Sequence, residues 1–222
     1  MKTDQSIVVA ITGASGAAYA VRLLRVLLQQ SLTVDLIVSD AGRQVMRQET
    51  GVSFPADTAR ESEWKSLLAD CLSSPLAVNW GLEPVECAQL KGFLRLHQLD
   101  DFSAGIASGS FQTRGMVICP CSTGTLSAVS VGASANLIHR VADVHLKERR
   151  TLVLVPRETP LSHITINNML KVTDAGAVVL PATPGFYSQP GSVADLIDFV
   201  VARICDQLEV THQLSRRWGT GA

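Results

Sequence analysis

Short apolar runs recur along the chain, each followed by a stretch in which apolar residues return every three or four positions. The runs are residues 7–11, 33–38, 116–119, 151–155 and 177–180, all rich in Val, Ile and Leu. Runs of that length with apolar residues at consecutive positions predict strands buried on both faces of a parallel sheet. The stretches between them, residues 17–29, 43–50, 125–131, 140–149, 161–171 and 193–208, have helical spacing. The last is the plainest: Ser192 stands where a cap belongs, and Val193, Leu196, Ile197, Val200, Val201, Ile204 and Leu208 form one stripe. Alternating strand and helix predicts an α/β fold, with a parallel sheet between two helical layers.

Residues 54–114 break this rhythm. A helical piece, "EWKSLLADCL", adjoins loop-like sequence, "DDFSAGIASGSF", and the segment reads as an elaboration of one domain spanning residues 1–210. Residues 211–222 read as a C-terminal tail. A length of 222 residues fits one domain with a sizeable core. Charged residues make up only 18% and hydrophobic ones 46%, so part of the surface is expected to be buried between subunits or within one large core.

A formal net charge of −1 argues against a general nucleic-acid or membrane surface. No uninterrupted apolar stretch is long enough to span a bilayer, and residues 1–6 do not read as a signal peptide, so a cytoplasmic protein is expected. The five cysteines are odd in number and scattered, which fits reduced thiols. Cys119 and Cys121 are too close for a CxxC hairpin, and no second ligand pair follows at zinc spacing.

Candidate chemistry lies where strands end. "TGASG", residues 12–16, closes the first strand: Gly13 and Gly16 permit tight turns, Ser15 offers a hydroxyl, and the next helix would present free amides, so the turn either binds a phosphate or simply makes a tight strand–helix connection. The dinucleotide fingerprint G-x-G-x-x-G is absent. Ser39 and Asp40 follow the second strand, where a ribose contact is possible. Ser122, Thr123, Gly124 and Thr125 make a second polar turn, either a ligand cradle or plain helix capping. Small residues follow at 132–136, "GASAN". Arg157 and Glu158 come directly after a buried strand, at the end where ligands sit in such sheets. Arg140 and Lys147, seven apart, share a helix face, and an Asp143–Lys147 pair on a solvated surface is the simpler reading of that stretch. Phe186 and Tyr187 lie in a proline-rich loop, and Arg203 flanks the last apolar stripe. A guanidinium there needs an anionic partner, a carboxylate or a phosphate.

Taken together, "TGASGAAY", "MVICPCSTGTLSAVSVGASANLIHRVADVHLKERRTLVLVPRE" and "NNMLKVTDAGAVVLPATPGFYSQPGSVADLIDFVVARI" resemble the UbiX-type flavin prenyltransferases, over about the first fifty residues and from Met116 to Trp218. The resemblance implies a flavodoxin-like, doubly wound parallel sheet in three α/β/α layers and a homododecamer with active sites at subunit junctions. It implies a transferase that takes reduced FMN as substrate. A dimethylallyl group from dimethylallyl phosphate would be joined to N5 and C6, and the prenylated FMN passed to a UbiD-type decarboxylase, as in ubiquinone biosynthesis.

On the same basis Gly13, Ala14, Ser15, Ser39, Ser122, Thr123, Gly124, Thr125 and Arg157 match flavin contacts, with Ser15 near N5. Tyr187 and Arg203 match residues that hold dimethylallyl phosphate, joined by Arg140, Lys147 and Trp218. Ser15, Glu49, Lys147, Glu158 and Tyr187 are the implied catalytic set. An allylic monophosphate asks for cations around its leaving group, which Arg140, Lys147 and Arg203 supply without a metal. No DDxxD segment for a magnesium-bound diphosphate occurs; "LDDF" is too short. An allylic centre with cationic character favours an aromatic face, offered by Tyr187 and Trp218. Phe102 stands where the family often has a tryptophan, and Ala135 where a side-chain amide can occur.

Two other functions fit parts of the pattern. One is an FMN-dependent cysteine decarboxylase, which needs a histidine near the flavin; His139, His145 and His163 read instead as surface or capping residues. The other is a non-catalytic FMN carrier, against which stand Glu49, Lys147, Glu158, Tyr187 and Arg203.

Overall fold

The computed structural model describes residues 5–52, 61–187 and 189–215. In chain order the elements are β1 (Ser6–Ile11), α1 (Ala17–Gln29), β2 (Thr33–Val38), α2 (Asp40–Thr50), α3 (Glu61–Ser73), α4 (Pro75–Asn79), β3 (Phe93–His97), β4 (Thr113–Cys121), α5 (Thr123–Ser130), α6 (Leu137–Lys147), β5 (Leu152–Pro156), α7 (His163–Asp174), β6 (Val178–Val179) and α8 (Val193–Gln207). The strands form one sheet in the order β3-β2-β1-β4-β5-β6, and every neighbouring pair is parallel.

Each central strand feeds two cores, because successive side chains point to opposite faces. Ile7, Val9 and Ile11 enter a core shared with α1, α3 and α8, while Val8 and Ala10 enter another with α5, α6 and α7. This is the three-layer, flavodoxin-like architecture. The five strands visible in the sequence run β2-β1-β4-β5-β6, and the chain reverses direction across the sheet between β1 and β4. Ligands in open α/β sheets sit outside the strand ends at such a reversal.

The segment at 54–114 adds β3 to the sheet's edge and α3 to one face, where Trp64, Leu68 and Leu72 are fully buried. β3 was not visible as a strand because two of its five positions are Arg95 and His97. Both serve one carboxylate: Asp35 on β2 is fully buried and accepts from Arg95 Nε at 2.8 Å and Nη2 at 2.9 Å, with His97 Nε2 at 2.8 Å. These contacts hold the Asp35 carboxyl below the usual range against the opposing effect of its burial.

Past α8, the described part of the expected tail lies on the body. The Gln30 amide donates to the Thr211 carbonyl, His212 Nε2 is 3.1 Å from Asp206 Oδ1, and Leu214 packs on the core.

Candidate active site at the strand ends

Loops from three neighbouring strands converge at the reversal. β1 ends in Thr12, and the chain turns through Gly13 and Gly16 into α1. Gly16 has φ 139°, open to glycine alone at low cost. A Cβ on Gly13 would lie 2.5 Å from Ala41 Cβ, so the loop is pressed against the start of α2. Ser39 caps α2, its Oγ accepting from Gly42 N at 3.0 Å.

The first amides of α1 are not free. Glu49, near the end of α2, accepts from Ala17 N at 2.7 Å and Gly16 N at 3.0 Å through Oε2. A carboxylate there satisfies two orphan donors and meets the positive end of the helix dipole. The expectation of a phosphate on those amides is therefore corrected, because the chain's own anion occupies them.

The second turn is different. Ser122 caps α5, accepting from Thr125 N at 3.2 Å and lying 3.0 Å from Thr125 Oγ1. The amides of Thr123 and Gly124 have no acceptor among the described residues. A Cβ built on Gly124 would meet nothing nearer than Ser122 Oγ at 4.0 Å, so the ground before the turn is open. Two unpaired amides at a helix N-terminus form a donor set for an anion or a flavin's polar edge.

Arg157 follows β5 and reaches across β4 to the first loop, its Nε donating to the Ser15 carbonyl at 3.2 Å. The rest of its guanidinium is exposed. Ser15 itself is exposed at the loop's tip, its hydroxyl without a partner among the described residues. Glu158 is next to Arg157, and its Oε1 accepts from Thr159 N at 3.0 Å. This donor set fits FMN: free amides and a guanidinium for anionic or carbonyl oxygens, beside a small-residue turn that leaves room for a flat ring.

The remaining expected residues lie elsewhere in the chain. Tyr187 is in the loop after β6, which leaves the sheet beside Pro156; its ring meets Phe199 edge-on at 5.8 Å. Arg140 donates from Nε to the Ala107 carbonyl at 3.1 Å and pairs with Asp143 at 3.4 Å, while Lys147 pairs with Glu148 at 2.6 Å. The expected Asp143–Lys147 pair is therefore corrected: two shorter-range partners divide those charges.

Lys147 and Arg203 sit toward the other end of the sheet. Lys147 lies against Gly109, before β4 begins. Arg203, paired with Asp206 at 3.0 Å, is on the last turns of α8, whose following residue Leu208 packs at Gly115 near the start of β4. β4 has nine residues, so roughly 30 Å of strand separates that end from Ser122. Trp218 lies outside the described residues.

The histidines do not gather at the loops. His145 is not a surface residue as expected: it is buried, lies 2.9 Å from Thr113 Oγ1 and 2.8 Å from the Val141 carbonyl, and burial pushes its pKa down to about 4. His139 is half-buried in the first turn of α6, and His163 is exposed at the start of α7. Cys119 and Cys121 are buried free thiols in β4, and burial raises the pKa of both.

Two residues at the site escaped the sequence reading. Tyr19, one turn into α1, has its pKa raised by burial first and by neighbouring Cys119 next, with Arg157 opposing. Thr12 joins the two turns through its hydroxyl. The signal for Thr12 was a polar residue ending an otherwise apolar strand; for Tyr19 it was a place on the helix that leaves the glycine turn.

The family model described as Flavoprotein matches residues 1–205. A relative named flavin prenyltransferase UbiX, from Pseudomonas aeruginosa, is 48% identical over 219 residues, covering 99% of this chain and 96% of its own. The solved structure of AnUbiX (PadA1), in complex with FMN and dimethylallyl pyrophosphate, is 36% identical with a TM-score of 0.77, covering 98% of this chain and 99% of that one. A dodecameric FMN-dependent UbiX-like decarboxylase from Escherichia coli is 35% identical with a TM-score of 0.76, covering 96% and 98%.

Proposed function

The chain belongs to the UbiX-type flavin prenyltransferases of the flavoprotein family, and on that premise we propose that it joins a dimethylallyl group from dimethylallyl phosphate to N5 and C6 of reduced FMN. The observation that carries this reading is the meeting of two loops at the β1–β4 reversal, one offering the Ser15 hydroxyl and the other the free amides of Thr123 and Gly124. Bound reduced FMN supplies the nucleophilic ring atoms.

The chain's residues do the rest. Thr123, Gly124 and Arg157 would hold the flavin's anionic and carbonyl oxygens, and the Ser15 hydroxyl would bond a polar atom of the ring. Gly13, Ala14, Ser39, Ser122 and Thr125 shape the floor. Glu49 fixes the first loop through the α1 amides. Glu158, exposed beside Arg157, would carry a proton.

Lys147 and Arg203 stand near the far end of the sheet from these loops, so one copy does not assemble the phosphate site by itself. A neighbouring copy brings Arg140, Lys147 and Arg203 to the flavin, and they neutralise the phosphate as it leaves. Tyr187 and Trp218 offer aromatic faces to the allylic carbon. The E. coli relative is dodecameric, and the exposed Ile164, Ile166 and Leu170 of α7 support a homo-oligomer here. The prenylated flavin goes to a UbiD-type decarboxylase.

The test is release of phosphate from dimethylallyl phosphate in the presence of reduced FMN. The wild-type chain should release it, and Arg203→Ala should lower turnover roughly 100-fold while leaving FMN affinity within about twofold. Wild-type protein that binds FMN but releases no phosphate would contradict prenyl transfer. Collapse of flavin binding in Arg203→Ala would remove Arg203 from the phosphate site.

A further inference from the structure

We propose that Thr12 is a positioning residue for the flavin site, its buried hydroxyl riveting the β1 loop to the β4 loop across the sheet's reversal. The inference rests on the FMN reading above and adds to it a residue that holds the two halves of the site in register.

The need for such a rivet follows from Pro120. Parallel strands are joined by slanted N–H to C=O bonds from both partners. The β1–β4 register runs from Ile7↔Gly115 to Ala10↔Ile118, and the β4–β5 ladder is irregular between Ile118 and Cys121. Pro120 stands at that irregularity and has no N–H to donate. β4 thus lacks a backbone donor at Pro120, beside the ligand loops.

Thr12 supplies the missing link three times. Its backbone N–H donates to the Pro120 carbonyl at 3.2 Å, and its Oγ1 donates to the same carbonyl at 2.9 Å. The hydroxyl oxygen then accepts from Ser122 N at 2.8 Å. Thr12 is only 2% exposed, so water does not compete for these bonds. Ser122 is the cap of α5, and fixing its amide fixes where the free Thr123 and Gly124 amides point. On the other side the Thr12 carbonyl accepts from Ala14 N at 2.8 Å, which shapes the turn that presents Ser15. One hydroxyl therefore sets the spacing between the two donor groups that would grip one flavin.

Val has the same shape and neither donates nor accepts, so Thr12→Val leaves Ser122 N–H without its partner. A matched control exists on the neighbouring strand: Thr113, at the start of β4, bonds His145 Nε2 at 2.9 Å in a buried pair remote from the loops. Thr113→Val removes a buried hydroxyl bond of the same kind without touching the site.

FMN titration of the flavin-free oligomer, followed by quenching of flavin fluorescence, tests the inference. Thr12→Val should bind FMN about 10- to 30-fold more weakly and raise KM for FMN without changing that for dimethylallyl phosphate. Thr12→Ser, which keeps the hydroxyl, should bind within about threefold of wild type. Thr113→Val should melt earlier yet bind FMN as wild type does. Wild-type affinity in Thr12→Val would overturn the inference alone, and so would an equal loss in Thr113→Val, which would mark the effect as general destabilisation. Failure of the wild-type chain to bind FMN would overturn the flavin reading and the inference together. Should Thr12→Val not fold, hydrogen exchange in FMN-free wild-type protein decides. A slowly exchanging Ser122 amide supports a preformed rivet, and exchange at the rate of unstructured peptide contradicts it.

Discussion

Glu49 shows how much one side chain settles at this site. Its carboxylate takes the first two amides of α1, so its first task is to hold the glycine turn. Glu49→Ala should cost about 1–2 kcal/mol, as loss of a helix cap does, while Glu49→Gln keeps an acceptor and most of that stability. Thermal melts of the two variants check this, and equal melts for Glu49→Ala and wild type would contradict the cap. Loss of turnover in a stable, FMN-binding Glu49→Gln would add a role for its charge in the reaction. His145 makes a separate prediction. Its folded pKa, about 4, lies below the ordinary value of 6.5, so the unfolded chain binds more protons between those values. Stability is then fully present above pH 6.5 and falls as pH drops toward 4, by about 2 kcal/mol at pH 5. Denaturant melts from pH 7 to pH 5 should show a shallower loss in His145→Gln than in wild type; equal slopes would contradict it. At this scale the sequence made Ser15, Ser122 and Arg157 legible because polar residues at buried strand ends have few uses. Thr12 looked like the polar end of an apolar run, since its bonding depends on Pro120, more than a hundred positions away.

The elements were legible in proportion to how local their causes are. α1 runs over 17–29 as its apolar spacing predicts. α2 starts three residues before the expected 43 because Ser39 caps it, and β6 shortens to Val178–Val179 at the sheet's edge. β3 was not legible, because its Arg95 and His97 answer a carboxylate on another strand. α7 shows an inversion that only burial reveals. Its buried positions include Thr165 and Asn168, with Asn168 Oδ1 accepting from Ser130 Oγ at 3.0 Å, while Ile164, Ile166 and Leu170 are 71%, 51% and 58% exposed. Apolar side chains turned outward in this way suit an interface with another copy, as the proposed oligomer would provide. Ile166 and Leu170 are one turn apart and share a face. Leu170→Asp should shift the protein to a smaller assembly in sedimentation velocity while the far-UV circular dichroism stays as it is. An unchanged assembly would take α7 out of the interface.

At the scale of the whole molecule, the sheet puts the flavin loops at one end and Lys147 and Arg203 toward the other. The order β3-β2-β1-β4-β5-β6 brings β1, β4 and β5 side by side, so Ser15, Thr123 and Arg157 meet although their loops are far apart in the chain. That these loops end buried strands was legible from the alternation of strand and helix; that they converge followed from the resemblance to a flavodoxin-like sheet. The separation of the cations from those loops was not legible, because it depends on how α6 and α8 run back along the sheet to β4's start. On the function proposed above, association of copies would complete a site split in this way, and the flavin held by the loops would be the molecule modified. The central claim is tested most directly by the mass of that flavin. After anaerobic incubation with reduced FMN and dimethylallyl phosphate, the flavin released from the protein should be heavier by one five-carbon unit. Flavin that stays bound through the incubation and is released at its original mass would contradict the account.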